Sequence, residues 1–278
     1  MSQVATDDGV KLYCEERGAG SAVVFVHEFA GSCRSFDAQV EAFHARHRCV
    51  AFNARGYPPS DVPASVASYS QEKATNDIGA VVERLALGRV HLVGVSMGAA
   101  SVLQFALTQS AHVLSVTLVG IGTGSDDPAE FRAGAEANAR TIESGGMAAF
   151  AETAGKAPNR YRLKDKNPAE FRRFLAQLSA MSPLGHASTM RGVQGRRPPL
   201  YTYEKRIAAL RVPALVVVGE EDAGCRKPSA FLERTLPGAK LHVLPKTGHA
   251  VNLEEPAEFN RLCLGFIDEV DEAARRHG

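Results

Sequence analysis

The stretch Val90-His91-Leu92-Val93-Gly94-Val95-Ser96-Met97-Gly98-Ala99-Ala100 carries the residue best suited to nucleophilic chemistry. An apolar run gives way to small, helix-tolerant residues, and one hydroxyl stands between two glycines at the junction. That is the G-x-S-x-G pattern of a strand turning sharply into a helix. Such a turn strains its central residue and needs small neighbours two positions away on either side, so that the serine oxygen is held out of the bend. A serine that merely caps the helix is the competing reading. The apolar strand signal before Ser96 and the helix signal after it favour the nucleophile.

A serine hydroxyl attacks well only when a base takes its proton and a third group orients that base. Candidates for both roles should follow later strands at the same sheet edge. Gly219-Glu220-Glu221-Asp222 follows one apolar run, and Gly248-His249 follows another after a short turn, giving the order serine, acid, histidine. Of the nine histidines, His44, His47, His112 and His277 fall on predicted helices or their ends, and His249 is read as the base from its position after the final strand. Glu220 and Glu221 compete with Asp222 for the acid role, and Asp222 sits farthest along the turn. Backbone N–H groups must also face the developing oxyanion. Met97, at a helix N-terminus, is one candidate donor, and the second must come from the loop His27-Glu28-Phe29-Ala30-Gly31.

The elements that would position these residues alternate. A hairpin about Asp8-Gly9 joins Val4–Asp8 to Val10–Arg17. Apolar runs at 22–27, 49–52, 90–95, 114–119, 214–219 and 240–244 read as buried strands. Helices are predicted over 35–45, over 71–87 with Ser70 as cap, after Ser96, over 228–235 and over 256–274. This alternation implies an α/β fold with a mainly parallel sheet, whose ligand site lies outside the strands' carboxyl ends. From Gly122 to about Arg206 no buried strand is readable. Helical stretches broken by Gly and Pro stand there instead, the clearest being Pro168–Met181. The chain therefore divides into a core of 1–122 and 207–278 and a helical lid of 123–206.

The 278 residues allow one sizeable core, and 32 basic against 31 acidic side chains, interspersed, leave no electrostatic footprint for nucleic acid or an anionic membrane. Five cysteines without metal-ligand or C-x-x-C spacing read as reduced packing residues, with Cys33 and Cys225 nearest the candidate site. Residues 191–197 form a small basic cluster read as a solvated face. The first eight residues lack the apolar segment of an export signal and no run approaches the roughly 18 residues of a membrane span, so a cytoplasmic protein is expected.

Several of these residues together resemble the α/β-hydrolase fold superfamily, in its lidded serine-hydrolase branch of esterases, lactonases and carbon–carbon bond hydrolases. The resemblance spans essentially the whole chain. It rests on His27 to Gly31 (like H-G-x-x-G), Arg55-Gly56 with Ser60 (like D-x-R-G-x-G-x-S), Gly94-x-Ser96-x-Gly98, Gly219-x-x-Asp222, and Gly248-His249 with Glu255-Pro256 (like G-H-x-x-x-x-E-x-P, slightly shifted). It implies an eight-stranded, mostly parallel sheet with a lid after the sixth strand. It also implies Ser96 as nucleophile, His249 as base, Asp222 as its orienting acid, and Phe29 and Met97 as oxyanion donors. Three departures stand out: Glu28 replaces a glycine, Asn53 an aspartate, and Tyr57-Pro58-Pro59 a glycine-bearing turn. Glu28 either points away to pair with a base or points inward, where it would act on water delivery or substrate choice. Relatives that open epoxides or cleave carbon–halogen bonds attack with Asp at the elbow, so Ser96 argues for acyl transfer.

The expectation is a cofactor-free, metal-free serine hydrolase of a small, apolar or weakly polar ester, thioester or lactone. His27, Glu28, Phe171 and Met181 are candidate pocket residues, and Phe131, Phe150, Tyr161 and Met190 are further candidates for an apolar roof. A carbon–carbon (diketone) hydrolase is the alternative on the same fold. A slow-turnover ligand receptor is the alternative from another class, and a cofactor-independent oxygenase or perhydrolase ranks third. Oligomeric state is open, with a homodimer among the options.

Overall fold

In a computed structural model, residues 2–277 are described and Met1 and Gly278 lie outside the described residues. The eight strands are β1 (Ser2–Ala5), β2 (Lys11–Arg17), β3 (Ser21–Val26), β4 (His47–Phe52), β5 (Val90–Val95), β6 (Val113–Val119), β7 (Ala214–Gly219) and β8 (Lys240–Leu244). They form one sheet in the order β1-β2-β4-β3-β5-β6-β7-β8. The β1–β2 and β2–β4 pairings are antiparallel and the rest are parallel. Gly9, at φ +82°, supplies the left-handed turn of the hairpin. His47 opens β4 rather than ending a helix.

The central strands are continuous apolar runs because helices cover both faces. Along β3, Val24 and Val26 pack on one side with Ile78, Val81, Leu103 and Val216. Val23 and Phe25 pack on the other with Phe36, Phe43, Phe259 and Ile267. The first side is covered by helices α2 (Gln71–Arg84) and α3 (Met97–Thr108), the second by α1 (Asp37–Phe43) and the C-terminal helix Pro256–His277. Ser70 caps α2 as expected, its Oγ accepting from Lys73 N at 3.0 Å.

Between β6 and β7 the chain is helical: α4 (Pro128–Gly155), α5 (Tyr161–Lys166), α6 (Pro168–Ser179), α7 (Pro183–Thr189) and α8 (Glu204–Ala209). Three of these begin alike, with a polar cap followed by proline at the first helical position: Asp127-Pro128, Asn167-Pro168 and Ser182-Pro183. Gly146, at φ +73°, interrupts α4. Ile142, Phe150, Phe174, Leu178 and Met190 of this segment share a third apolar cluster with Phe29, Tyr57, Met97 and Leu253. The insertion is thus seated on the loops at the strands' carboxyl ends.

After β7, α9 (Ala223–Thr235) starts five residues earlier than its sequence signal, with Pro228 inside it. A short α10 (Val251–Glu254) precedes α11 (Pro256–His277). Residues 191–197 are not a solvated face: Arg191 pairs with Glu136 and Glu143, and Arg197 turns inward to Gln194 Oε1 and the Thr123 carbonyl. Among the described residues no helix is long and apolar enough to cross a membrane.

Candidate active site

Ser96 stands between β5 and α3 at φ +53°, a left-handed value that a non-glycine residue adopts only under constraint. Its N–H donates to the Val119 carbonyl at 2.8 Å and its carbonyl accepts from Ala100 N at 3.1 Å, so strand β6 and the new helix fix the turn from both sides. The flanking glycines are sterically required. A Cβ at Gly94 would lie 2.7 Å from the Ala99 backbone, and one at Gly98 would lie 2.0 Å from the Val26 carbonyl oxygen. That second contact presses the elbow against the end of β3, where the 27–31 loop begins.

The acid and the histidine meet beyond the ends of β7 and β8. A Cβ at Gly219 would lie 2.1 Å from the Gly248 carbonyl oxygen, so the two turns pack backbone to backbone. Glu220 N and Glu221 N donate to Leu244 and Thr247. The exposed Glu220 side chain accepts from Lys246 N, and the exposed Glu221 side chain pairs with Arg162. Asp222 alone of the three is buried, and its Oδ2 lies 2.7 Å from His249 Nδ1. Burial disfavours the imidazolium of His249, but the Asp222 charge and hydrogen bond outweigh it and hold the ring well above its ordinary value. Burial likewise raises Asp222, and His249 more than offsets it.

Cys225 lies under this pair, its Sγ 3.9 Å from His249 Nδ1 and 3.0 Å from the Gly120 carbonyl oxygen. Donor atoms of Asp222, Cys225 and His249 fall within 4.8 Å of one another, a set that could ligate a soft divalent ion. The direct Asp222–His249 bond and the close packing of Gly120 on both groups make it a filled hydrogen-bonded cluster instead. Burial pushes the Cys33 thiol up to about 12 and raises that of Cys225, so neither is a ready nucleophile.

Glu254 closes the histidine loop from behind. Its carboxylate accepts from Gly248 N at 2.6 Å and Ala250 N at 3.1 Å, clamping both neighbours of His249. This corrects the sequence reading, in which Glu255 took that place with a shift. Glu254 fits the G-H-x-x-x-x-E-x-P spacing without one, and Glu255 pairs outside with Lys166.

The 27–31 loop is held by side chains. His27 donates from Nδ1 to the Glu28 carbonyl at 2.7 Å and accepts from Ala54 N at Nε2, and burial lowers its pKa to about 4, consistent with a neutral ring. The Tyr57 hydroxyl donates to the Phe29 carbonyl at 2.9 Å, with the His186 ring 4.4 Å from that of Tyr57. Asn53 accepts from Cys33 N and donates to the Pro58 carbonyl, joining the loop after β4 to this one. Phe29 N has no acceptor among the described residues. Met97 N belongs to the first turn of α3, where helix geometry leaves amides unpaired. These two N–H groups are therefore available to an oxyanion.

Glu28 does pair with a base, and does so inside the site. Its carboxylate and the Arg160 guanidinium form a bidentate ion pair, buried on both sides. Burial raises Glu28, but the Arg160 charge and hydrogen bonds prevail and hold it below its ordinary value. Arg160 stands between α4 and α5, its guanidinium 4.8 Å above the Phe174 ring.

A cavity of about 250 Å³ opens here, and Glu28, Phe29, Ser96, Phe150, Arg160 and His249 are among the residues lining it. Of the expected pocket residues, Glu28 and Phe150 reach it. His27, Phe171 and Met181 do not. His27 is spent on loop hydrogen bonds, Phe171 packs within the apolar cluster of the insertion, and Met181 sits at that cluster's margin. Tyr161 is largely exposed. The Ser96 hydroxyl has no hydrogen-bond partner among the described residues, a looseness common before substrate tightens such sites. Sequence reasoning missed Arg160, Tyr57 and Glu254.

Comparison with known proteins agrees with this architecture. The model of the alpha/beta hydrolase fold family matches residues 21–256. The chain is 27% identical to 2-hydroxy-6-oxononadienedioate/2-hydroxy-6-oxononatrienedioate hydrolase of Burkholderia vietnamiensis, over 94% of this chain and 93% of that protein. Among solved structures it is similar to a thermophilic esterase from Thermogutta terrifontis, with TM-score 0.86, 24% identity, and 97% and 98% of the two chains covered. It is also similar to Est816, described as an N-acyl homoserine lactone degrading enzyme, with TM-score 0.79, 27% identity, and 95% and 100% covered.

Proposed function

The chain belongs to the alpha/beta hydrolase fold family, and from that premise we propose that it is a serine hydrolase cleaving a small carboxylic ester, thioester or lactone through an acyl-enzyme on Ser96. One observation carries the reading: Ser96, strained at φ +53°, opens into the same cavity as His249, whose far ring nitrogen is bound to Asp222 at 2.7 Å. His249 Nε2 takes the hydroxyl proton as Ser96 Oγ attacks the carbonyl, and Asp222 stabilises the imidazolium that forms. The N–H groups of Phe29 and Met97 receive the oxyanion. His249 returns the proton to the leaving oxygen or sulfur. A water, deprotonated by the same ring, then attacks the acyl carbonyl and frees Ser96. Residues 123–206 act as the lid that keeps bulk water from this sequence, and the substrate is a small molecule.

A second reading, hydrolysis of a carbon–carbon bond in a diketone, is supported by the relative named for 2-hydroxy-6-oxononadienedioate hydrolysis. The loop Glu28-Phe29-Ala30 counts modestly against it, because the oxyanion loop of such hydrolases usually carries more glycine.

The test is a fluorophosphonate probe with a panel of short-chain nitrophenyl esters, lactones and diketones. Wild type should be labelled on Ser96 and turn over an ester or lactone. Ser96→Ala should lose labelling and at least about 10⁴-fold of turnover. A wild-type protein inert to both probe and panel would sink the proposal.

A further inference from the structure

We infer that Glu28 is a specificity-determining residue: by filling the fork of Arg160 it denies that guanidinium to a substrate carboxylate and restricts the site to substrates with an uncharged acyl group. This rests on the hydrolase reading above and names the substrate class of that same site.

Arg160 is the one guanidinium among the residues lining the cavity, and Lys is absent from them. A planar fork of this kind is the side chain best matched to a carboxylate. Here both of its ends are taken, Nη1 donating to Glu28 Oε1 and Nη2 to Oε2. The side chains are 8% and 3% exposed, so the pair has little water to fall back on. The ring of Phe174, its centroid 4.8 Å from the guanidinium carbon, holds Arg160 against α6.

A carboxylate on the acyl group would have to displace Glu28 from Nη1 and Nη2 or settle beside it on the remaining N–H groups. Displacement leaves one buried carboxylate unpaired, and proximity adds like-charge repulsion against the buried Glu28. The remaining lining offers an uncharged substrate what it needs. Phe29, Ala30, Phe150, Ala154 and Ala157 are apolar, while Asn138 and Thr153 are polar and neutral. Arg160 has a matching duty toward catalysis: it cancels the Glu28 charge, which would otherwise oppose an oxyanion next to Phe29 N. The pair is neutral as a unit, and the site inherits that neutrality.

The experiment compares two nitrophenyl esters of equal acyl length, the valerate and the hydrogen glutarate, at pH 7.5. Wild type should favour the valerate in kcat/KM by at least about 100-fold, the scale of a like-charge clash in a buried site. Glu28→Gln keeps the shape and frees the guanidinium charge, and should narrow that ratio by at least about tenfold. Arg160→Met breaks the same pair from the other side and should not narrow it, whereas a merely structural role would move the two variants alike. The inference is overturned if wild type takes the glutarate as well as the valerate, or if a folded, probe-labelled Glu28→Gln leaves the ratio unchanged. A wild-type ratio near one overturns the inference even where a variant does not fold. A wild type that hydrolyses neither ester and resists the fluorophosphonate fails at the earlier step: the hydrolase reading goes, and the inference with it. Labelling with a ratio near one removes the inference alone.

Discussion

Two buried histidines, each paired with an aspartate, sit at opposite ends of the same sheet. At the carboxyl ends of the strands, His249 Nδ1 lies 2.7 Å from Asp222 and the ring lines a cavity with Ser96. At the amino ends, His91 Nε2 lies 2.9 Å from Asp271 and Nδ1 lies 2.7 Å from Ser115 Oγ. By residue type and hydrogen bonding the second row is the more complete Ser–His–Asp arrangement. It nonetheless lacks what acyl transfer requires. Asp271 can only accept, so Nε2 carries the proton and Nδ1 accepts from Ser115, the tautomer a triad would use; but His91 and Ser115 are both buried, so no substrate carbonyl can reach that hydroxyl. Ser115 lies in register with His91 inside β6, in ordinary strand backbone. Burial lowers the His91 pKa in spite of Asp271, whereas Asp222 prevails over burial at His249. What separates the two rows is the strained turn that lifts Ser96 out of the sheet and the cavity it opens into.

The largest contrast should come from the two aspartates. Asp222→Asn is expected to lower kcat by about 10³-fold or more, as loss of the orienting acid does in serine hydrolases. A base works only when neutral, so wild-type kcat/KM should climb as pH rises through the elevated His249 pKa. Removing the carboxylate that elevates it should move that limb to lower pH. Asp271→Asn should leave the pH profile in place and cost about 1–3 kcal/mol in urea unfolding, the usual loss when a buried partner is removed. A pH–rate profile altered by Asp271→Asn in a folded protein would break the comparison.

Ser115→Ala ranks next. It leaves His91 Nδ1 buried without a donor, for a stability loss of about 1–2 kcal/mol, while kcat/KM stays within about twofold of wild type by steady-state kinetics. The last check is the pH dependence of stability. His91, His27 (about 4) and His186 (about 3) all have pKa values lowered by burial. The unfolded chain therefore binds more protons than the folded one below pH ~6.5, and stability present above that value is lost as pH falls toward the folded values, by up to about 1.4 kcal/mol per pH unit per histidine. His249 has the opposite sign: its contribution is full below ~6.5 and is lost as pH rises through its elevated value. Urea titrations from pH 7.5 to 5 should show His91→Gln flattening the acid-side loss and His249→Gln steepening it.

Much of this was readable in the chain because it is local. Val23 to Val26 alternate between the two faces of a covered sheet, and that run declares itself without partners. The G-x-S-x-G turn is equally local, since its glycines are demanded by atoms a few residues away at Ala99 and, through the strand, at Val26. Asp222 stood out from Glu220 and Glu221 by its place farthest along the turn and by the family resemblance, and the Glu220 and Glu221 amides, bonded across to β8 and its turn, supply the physical reason. Arg160 was not legible, because its partner lies 132 residues upstream and neither residue carries a periodic signal. The α4 helix was missed because it is rich in Ala and spreads its apolar residues thinly, whereas Phe171, Phe174 and Leu178 mark α6 as a stripe. A polar cap followed by proline would have found three of the insertion's helices from sequence alone.

The Glu28–Arg160 pair also bears on how freely the helical insertion can be exchanged. Its ends leave and re-enter the core at neighbouring strands β6 and β7, which makes it look like a cassette that could be replaced by that of a relative. It is keyed, however, to a buried charge of the core. A transplanted segment without a cation at the Arg160 position would strand a buried carboxylate next to the serine, and a glycine-bearing core that received this segment would gain an unmatched guanidinium. Chimaeras should therefore succeed only when residue 28 travels with the insertion.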